Sequence, residues 1–107
     1  MHERVISLQR LDLEGRPVSA SQAFLAWRQV GHRITWSGRA RLSGEADQLP
    51  PAGEEISLDA TSLDGRRIAG RVVITEHGNH ETPLTFSGSG PLIIEGREMQ
   101  TGRATTA

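Results

Sequence analysis

The chain has 107 residues, a formal net charge of −1 and 36% hydrophobic residues, which suits one domain and is too apolar for wholesale disorder. Its 12 basic residues nearly balance its 13 acidic ones, so no overall field attracts nucleic acid or an acidic membrane surface. All the basic residues are arginine and cysteine is absent. Disulfides, thiolate metal sites and cysteine nucleophiles are therefore excluded.

The N-terminal segment, residues 1–13, mixes charged residues with apolar ones and has no uninterrupted apolar core of a signal peptide. No stretch of the sequence approaches the roughly 20 apolar residues of a transmembrane helix. We expect a soluble protein with no membrane partner, either cytoplasmic or assembled into a virion.

The first two predicted elements differ in type. Residues 5–13 are rich in β-formers, and neither alternating set is consistently apolar, which predicts a strand with either a bulge or burial on both sides. Residues 20–30 carry apolar side chains at helical spacing between a serine cap and Gly31, which predicts a short helix. The alternative is a hairpin through Gly31 and His32 that pairs Trp27 with Trp36.

Alternation dominates the middle of the chain. Residues 33–42 alternate apolar or small with polar side chains, so they predict a strand with one buried face, and 43–53 form a loop rich in glycine and proline. Residues 55–63 and 67–76 predict a hairpin with Gly65 in a left-handed turn position. Its register pairs Ile56 with Val72, Leu58 with Gly70 and Ala60 with Ile68.

A second three-residue loop, at 78–80, predicts that the next strand continues the same apolar face. That register pairs Ile74 with Leu84, Val72 with Phe86 and Gly70 with Gly88. A short last strand at 92–94 precedes a polar segment. The prediction is a mainly β domain over residues 1–95, an antiparallel sandwich or small barrel of five to six strands with one short helix near 20–30, followed by a polar tail at 96–107.

Two sets of side chains on this sheet are candidates for binding. Small residues form a row on the buried face, where Trp27 and Trp36 would either fill the core or line a ligand pocket. The small-residue row comprises Gly38, Ala40, Ala60, Gly70 and Gly88. The outward face carries a candidate phosphate-binding set of arginines at Arg39, Arg41, Arg67 and Arg71.

The sequence contains few residue arrangements that are typical of catalytic or metal sites. His77 and His80 are the only close pair of metal-ligand imidazoles, yet their spacing and loop setting favour an exposed polar turn. No serine sits in a nucleophile-elbow motif, and without lysine no P-loop can exist. We therefore expect no catalytic residue, no cofactor and no metal.

The segment 84–92, LTFSGSGPL, resembles the closing strand region of phage major tail tube proteins, and residues 51–76 are similar to small barrels of tail and baseplate hub proteins. The resemblance covers the second half of the chain and implies a subunit that assembles into rings through sheet edges and loops. We therefore expect a non-enzymatic structural or protein-interaction subunit, of a phage tail-like or virion assembly, that self-associates. The alternatives are a small-ligand-binding barrel and a nucleic-acid-binding module that uses the arginine set.

Overall fold

A computed structural model describes residues 3–43, 49–78 and 81–98, and these contain strands and no helix. Six longer strands form the main sheet: β1 (Glu3–Leu13), β3 (Ala20–Val30), β4 (Arg33–Leu42), β5 (Glu55–Ser62), β6 (Arg67–Glu76) and β7 (Leu84–Gly88). Three two-residue strands extend it: β2 (Arg16–Pro17), β8 (Ile93–Ile94) and β9 (Arg97–Glu98).

The six longer strands close on themselves. Their order is β1-β3-β4-β7-β6-β5, every pairing is antiparallel, and β5 returns to pair with β1. The prediction of a mainly β antiparallel fold is confirmed, and the barrel is the architecture that forms. Because closure gives each of these strands two neighbours, unpaired backbone is confined to places where a strand outlasts its neighbour.

Strand β1 pairs with two different neighbours, and the side of the strand that faces the core changes between them. Its first part pairs with β3 and its second with β5, and the ladder shifts between Leu8 and Arg10. The extra residue, Gln9, moves the buried set from Leu8 to Leu11 and Leu13. The irregularity predicted from the mixed apolar pattern is confirmed.

The helix predicted near residues 20–30 is wrong. This segment is β3, which forms a hairpin with β4 through Gly31 and His32 and sets Trp27 opposite Trp36, as the alternative reading held. Gly31 has a φ of 63° at the first loop position, as a two-residue hairpin turn requires. The apolar spacing imitated a helix because the outer face of β3 also carries a half-buried aromatic ring, Phe24.

The two hairpins after the loop differ in how well they were predicted. The β5–β6 register is confirmed at all three predicted pairs, and Gly65 has a φ of 90°. The β6–β7 register is wrong by two residues, since Ile74 lies opposite Phe86 and Val72 opposite Gly88. A shift of two keeps every side chain on its face, so the apolar pattern cannot distinguish the two registers.

Side chains fill the interior of the barrel. Trp36 is 5% exposed and its indole lies against Gly70 and Gly88, while Phe86 lies against Gly38. The indole Nε1 donates a hydrogen bond of 2.8 Å to the backbone oxygen of Gly90. The three glycines of the small-residue row therefore make the space that two aromatic rings occupy.

Candidate functional site

The two tryptophans have different environments. Trp36 belongs to the filled core, and its one polar atom is satisfied by Gly90. Trp27 is half-buried at one end of the barrel, where the guanidinium of Arg4 lies 6.0 Å from its ring centroid. Trp27 is thus the tryptophan that a partner could contact.

The four candidate arginines are all exposed but do not converge. The pairings through β7 put Arg39 and Arg41 towards one end of the barrel and Arg67 and Arg71 towards the other. Strands β4 and β6 are also separated by β7, hence by about 10 Å. Arg39 lies 5.9 Å from the ring centroid of Phe24 and Arg71 bonds to Glu55. Arg39 and Arg71 therefore have local partners, and the four arginines form no common patch.

Of the two candidate metal-ligating histidines, only His77 lies among the residues that the structure describes. His77 is exposed, and its Nε2 lies 2.7 Å from the backbone oxygen of Pro50. His80 lies outside the described residues. Over residues 3–43, 49–78 and 81–98, no group of three or more metal-ligating side chains is found.

A groove of about 1030 Å³ opens at the end of the barrel near Trp27; we call it the end groove. Val5 and Leu63, which both line it, are 60% and 68% exposed. Its other apolar walls are Ile6, Trp27, Ile68 and Ile94. Its charged residues are Arg4, Asp64, Arg66, Glu95 and Arg97. The end groove therefore combines exposed apolar side chains with charges of both signs.

Hydrogen bonds fix the β5–β6 turn that carries Leu63. The Leu63 N–H donates to the backbone oxygen of Ser7 at 3.0 Å, and the Arg66 N–H donates to the buried Oγ of Ser62 at 2.9 Å. Ser62 Oγ in turn donates to Asp64, and this bond, together with the nearby Arg66 guanidinium, lowers the pKa of Asp64 below 3.8. The exposed Leu63 thus stands on an ordered turn.

The opposite wall of the end groove is the β8–β9 hairpin. Ile94 pairs with Ile68, and the Glu95 N–H donates to the Arg67 oxygen at 2.7 Å. Residues 95 and 96 form a two-residue loop in which both φ angles are positive, at 55° and 76°. The domain boundary predicted after residue 95 therefore falls inside a hairpin; the predicted tail from 99 onwards lies outside the described residues.

A second groove, of about 600 Å³, lies on the other side of Trp27; we call it the edge groove. It runs between residues 33–37 of β4 and residues 87–90, which include the end of β7. Its charged lining residues are Arg28 and Arg33. The two grooves flank Trp27, which contributes to both.

Sequence reasoning did not find either groove. The end groove is assembled from β1, the β5–β6 turn and β8, which are far apart in the chain, and strand β9 was not predicted. One signal was available: Leu63 is an apolar residue inside the polar turn sequence that joins β5 to β6. An apolar side chain at such a position is buried by neither strand.

The described residues contain no helix long and apolar enough to cross a membrane. Comparison with known proteins found no matching family model, no matching curated protein and no matching solved structure.

Proposed function

We propose that this protein is a non-enzymatic protein-interaction subunit that self-associates through the end groove. The observation that carries the proposal is the position of Val5 and Leu63, two large apolar side chains that are mostly exposed and line the same groove as Trp27. Single exposed apolar residues are ordinary, but a contiguous set rimmed by polar groups is typical of an interaction surface.

The charges of the end groove favour a second copy of the chain as the partner. A symmetric interface is formed by the same surface twice, so it must be complementary to itself. Arginines (Arg4, Arg66 and Arg97) and acids (Asp64 and Glu95) occur together in the groove, which allows each copy to offer both signs. A phage tail-like or virion assembly is the setting that the resemblance of residues 84–92 suggests.

The two alternative functions have less support. A ligand inside the barrel would have to displace the indole of Trp36, which packs on two glycines and is hydrogen-bonded to Gly90. A nucleic-acid surface would need its arginines together, whereas Arg39 and Arg67 lie towards opposite ends of the barrel. Both alternatives remain weaker proposals than self-association.

Size-exclusion chromatography with light scattering on matched valine variants tests the proposal. Val5→Asp puts a charge inside the end groove, whereas Val30→Asp makes the same change at a valine that is 42% exposed and does not line it. Since burial of a valine or leucine side chain is worth about 1.5–3 kcal/mol, Val5→Asp should weaken association at least about tenfold. Leu63→Asp should do the same.

The control decides the interpretation. Val30→Asp should associate like the unmodified protein, and far-UV circular dichroism should show all three variants folded. If the unmodified protein is monomeric throughout, or if Val30→Asp dissociates it as fully as Val5→Asp does, the end groove is not the interface.

A further inference from the structure

Part of strand β4 has a neighbour on one side only. Along its whole length β4 pairs with β3, but its ladder with β7 covers only Ser37 to Ala40. Residues 33–35 therefore extend past β7 for about 10 Å with no strand beside them among the described residues. They form one wall of the edge groove.

The register shows which backbone groups on this edge are free. Val30 and Arg33 flank the two-residue loop, so the N–H and C=O of Arg33 point towards β3. Because these directions alternate along a strand, those of Ile34 point the other way, into the edge groove. The edge thus offers a donor and an acceptor to an added strand, in line with β7.

The side chains along the groove leave room for such a strand. The facing residues 87–90 are serines and glycines, and Ile34 and Thr35 stand on opposite faces of β4. An added strand would place one set of its side chains beside the half-buried Ile34 and the other set beside Arg33 and Thr35. The geometry suits a segment that alternates apolar with polar residues.

Charge identifies the polar residues of that segment. The described residues lining the edge groove include Arg28 and Arg33 and no carboxylate. Arg33 lies opposite Val30 of β3, so among the described residues it has no acidic residue opposite it in the sheet. A second copy of this chain pairing edge to edge would bring two Arg33 side chains near each other, which is unfavourable.

We infer that the β4 edge binds an extended acidic segment of another protein, which adds to the barrel as a strand and places its carboxylates beside Arg33. This site goes beyond self-association, because it uses a different surface and a partner of different chemistry. Backbone hydrogen bonds supply affinity, and alternation of acidic with apolar side chains supplies selectivity.

Fluorescence anisotropy with short labelled peptides tests this inference. The probe alternates glutamate with valine, and a matched peptide replaces each glutamate with lysine. Ile34→Pro removes the outward N–H, a change that a strand edge tolerates. Ile34→Ala is the matched control, because it shortens the same side chain and keeps the outward N–H. Circular dichroism and thermal unfolding verify that both variants fold.

A charge reversal gives an independent variant in case proline disturbs the hairpin. Arg33→Glu changes the groove, while Arg41→Glu makes the same change on the same strand and outward face, away from it. We expect Ile34→Pro to weaken binding of the glutamate peptide about tenfold, the loss of roughly one net hydrogen bond. Arg33→Glu should weaken it similarly, and less at high salt.

The controls and the end-groove variant separate this inference from the proposed function. Arg41→Glu and Val5→Asp should bind the glutamate peptide like the unmodified protein, and Ile34→Ala should lose less affinity than Ile34→Pro. Equal affinity for the lysine peptide, or unchanged binding by folded Ile34→Pro and Arg33→Glu, would overturn the inference. So would an oligomer that Ile34→Pro dissociates without any peptide, because the edge would then hold a second copy.

Discussion

Trp36 is held so tightly between two glycines that a single added methyl group should destabilise the protein. A Cβ at Gly70 would lie 2.7 Å from Cζ2 and 2.8 Å from Cη2 of the indole, and at Gly88 it would overlap Cε2 and Nε1. Ordinary carbon contacts are about 3.5–4.0 Å. The indole cannot withdraw freely, because Nε1 is hydrogen-bonded to Gly90 at 2.8 Å.

The expected cost of Gly88→Ala follows from these two constraints. Overpacking of a filled core typically costs about 1–3 kcal/mol. If the indole moves to admit the methyl group, it also loses its hydrogen bond, for roughly 1 kcal/mol more. We expect the free energy of unfolding to fall by about 2–4 kcal/mol.

Urea unfolding of matched glycine variants measures this cost. Gly90→Ala is the control, because a Cβ at Gly90 meets nothing within 4 Å and its φ is not in the left-handed region; its effect should stay within about 0.5 kcal/mol. In a Trp36→Phe background, which lacks Nε1, the ring can shift and the Gly88→Ala penalty should shrink. Equal unfolding midpoints for Gly88→Ala and Gly90→Ala would refute the packing argument.

Two further outcomes are expected. In Trp27→Phe the remaining tryptophan is the buried Trp36, so acrylamide should quench its fluorescence weakly. In Trp36→Phe the remaining tryptophan is the half-buried Trp27, so quenching should be stronger. Equal quenching in the two variants would contradict a filled barrel. Ser62→Ala removes the main cause of the lowered pKa of Asp64, so an NMR titration should find that pKa raised towards 3.8. Because the folded-state pKa is lowered, ionised Asp64 stabilises the protein above the ordinary pKa, and this stabilisation is lost as pH falls through the folded-state value. An unchanged Asp64 titration would show that Ser62 is not the cause.

The strands that the sequence predicted well are those in which one face alone is apolar. Strands β4 and β6 alternate cleanly, so both strands and the β5–β6 register followed from period and turn chemistry. Strand β3 was predicted as a helix because Phe24 adds an apolar side chain to its outer face, where it lies under Arg39. The β6–β7 register failed because the connection between Glu76 and Leu84 is longer than the three-residue loop assumed, and the irregularity between Ile74 and Glu76 keeps the same face buried.

The binding surfaces could not be predicted for a different reason. The end groove depends on closure of the barrel, which brings Val5 beside Leu63 and both near Ile94. The edge groove exists because the first residues of β4 extend past the end of β7. This offset is a property of two strands that are far apart in the sequence. The local alternation of side chains predicts neither of these features. The four arginines that it did identify lie on different parts of the surface.

Sedimentation velocity of the unmodified protein over an about hundredfold range of concentration tests the central claim most directly, because association through the end groove must follow mass action. We predict a sedimentation coefficient that rises with concentration towards a discrete oligomer and stays at the monomer value in Val5→Asp. A monomer at every concentration, with no dependence on Val5, would contradict the account.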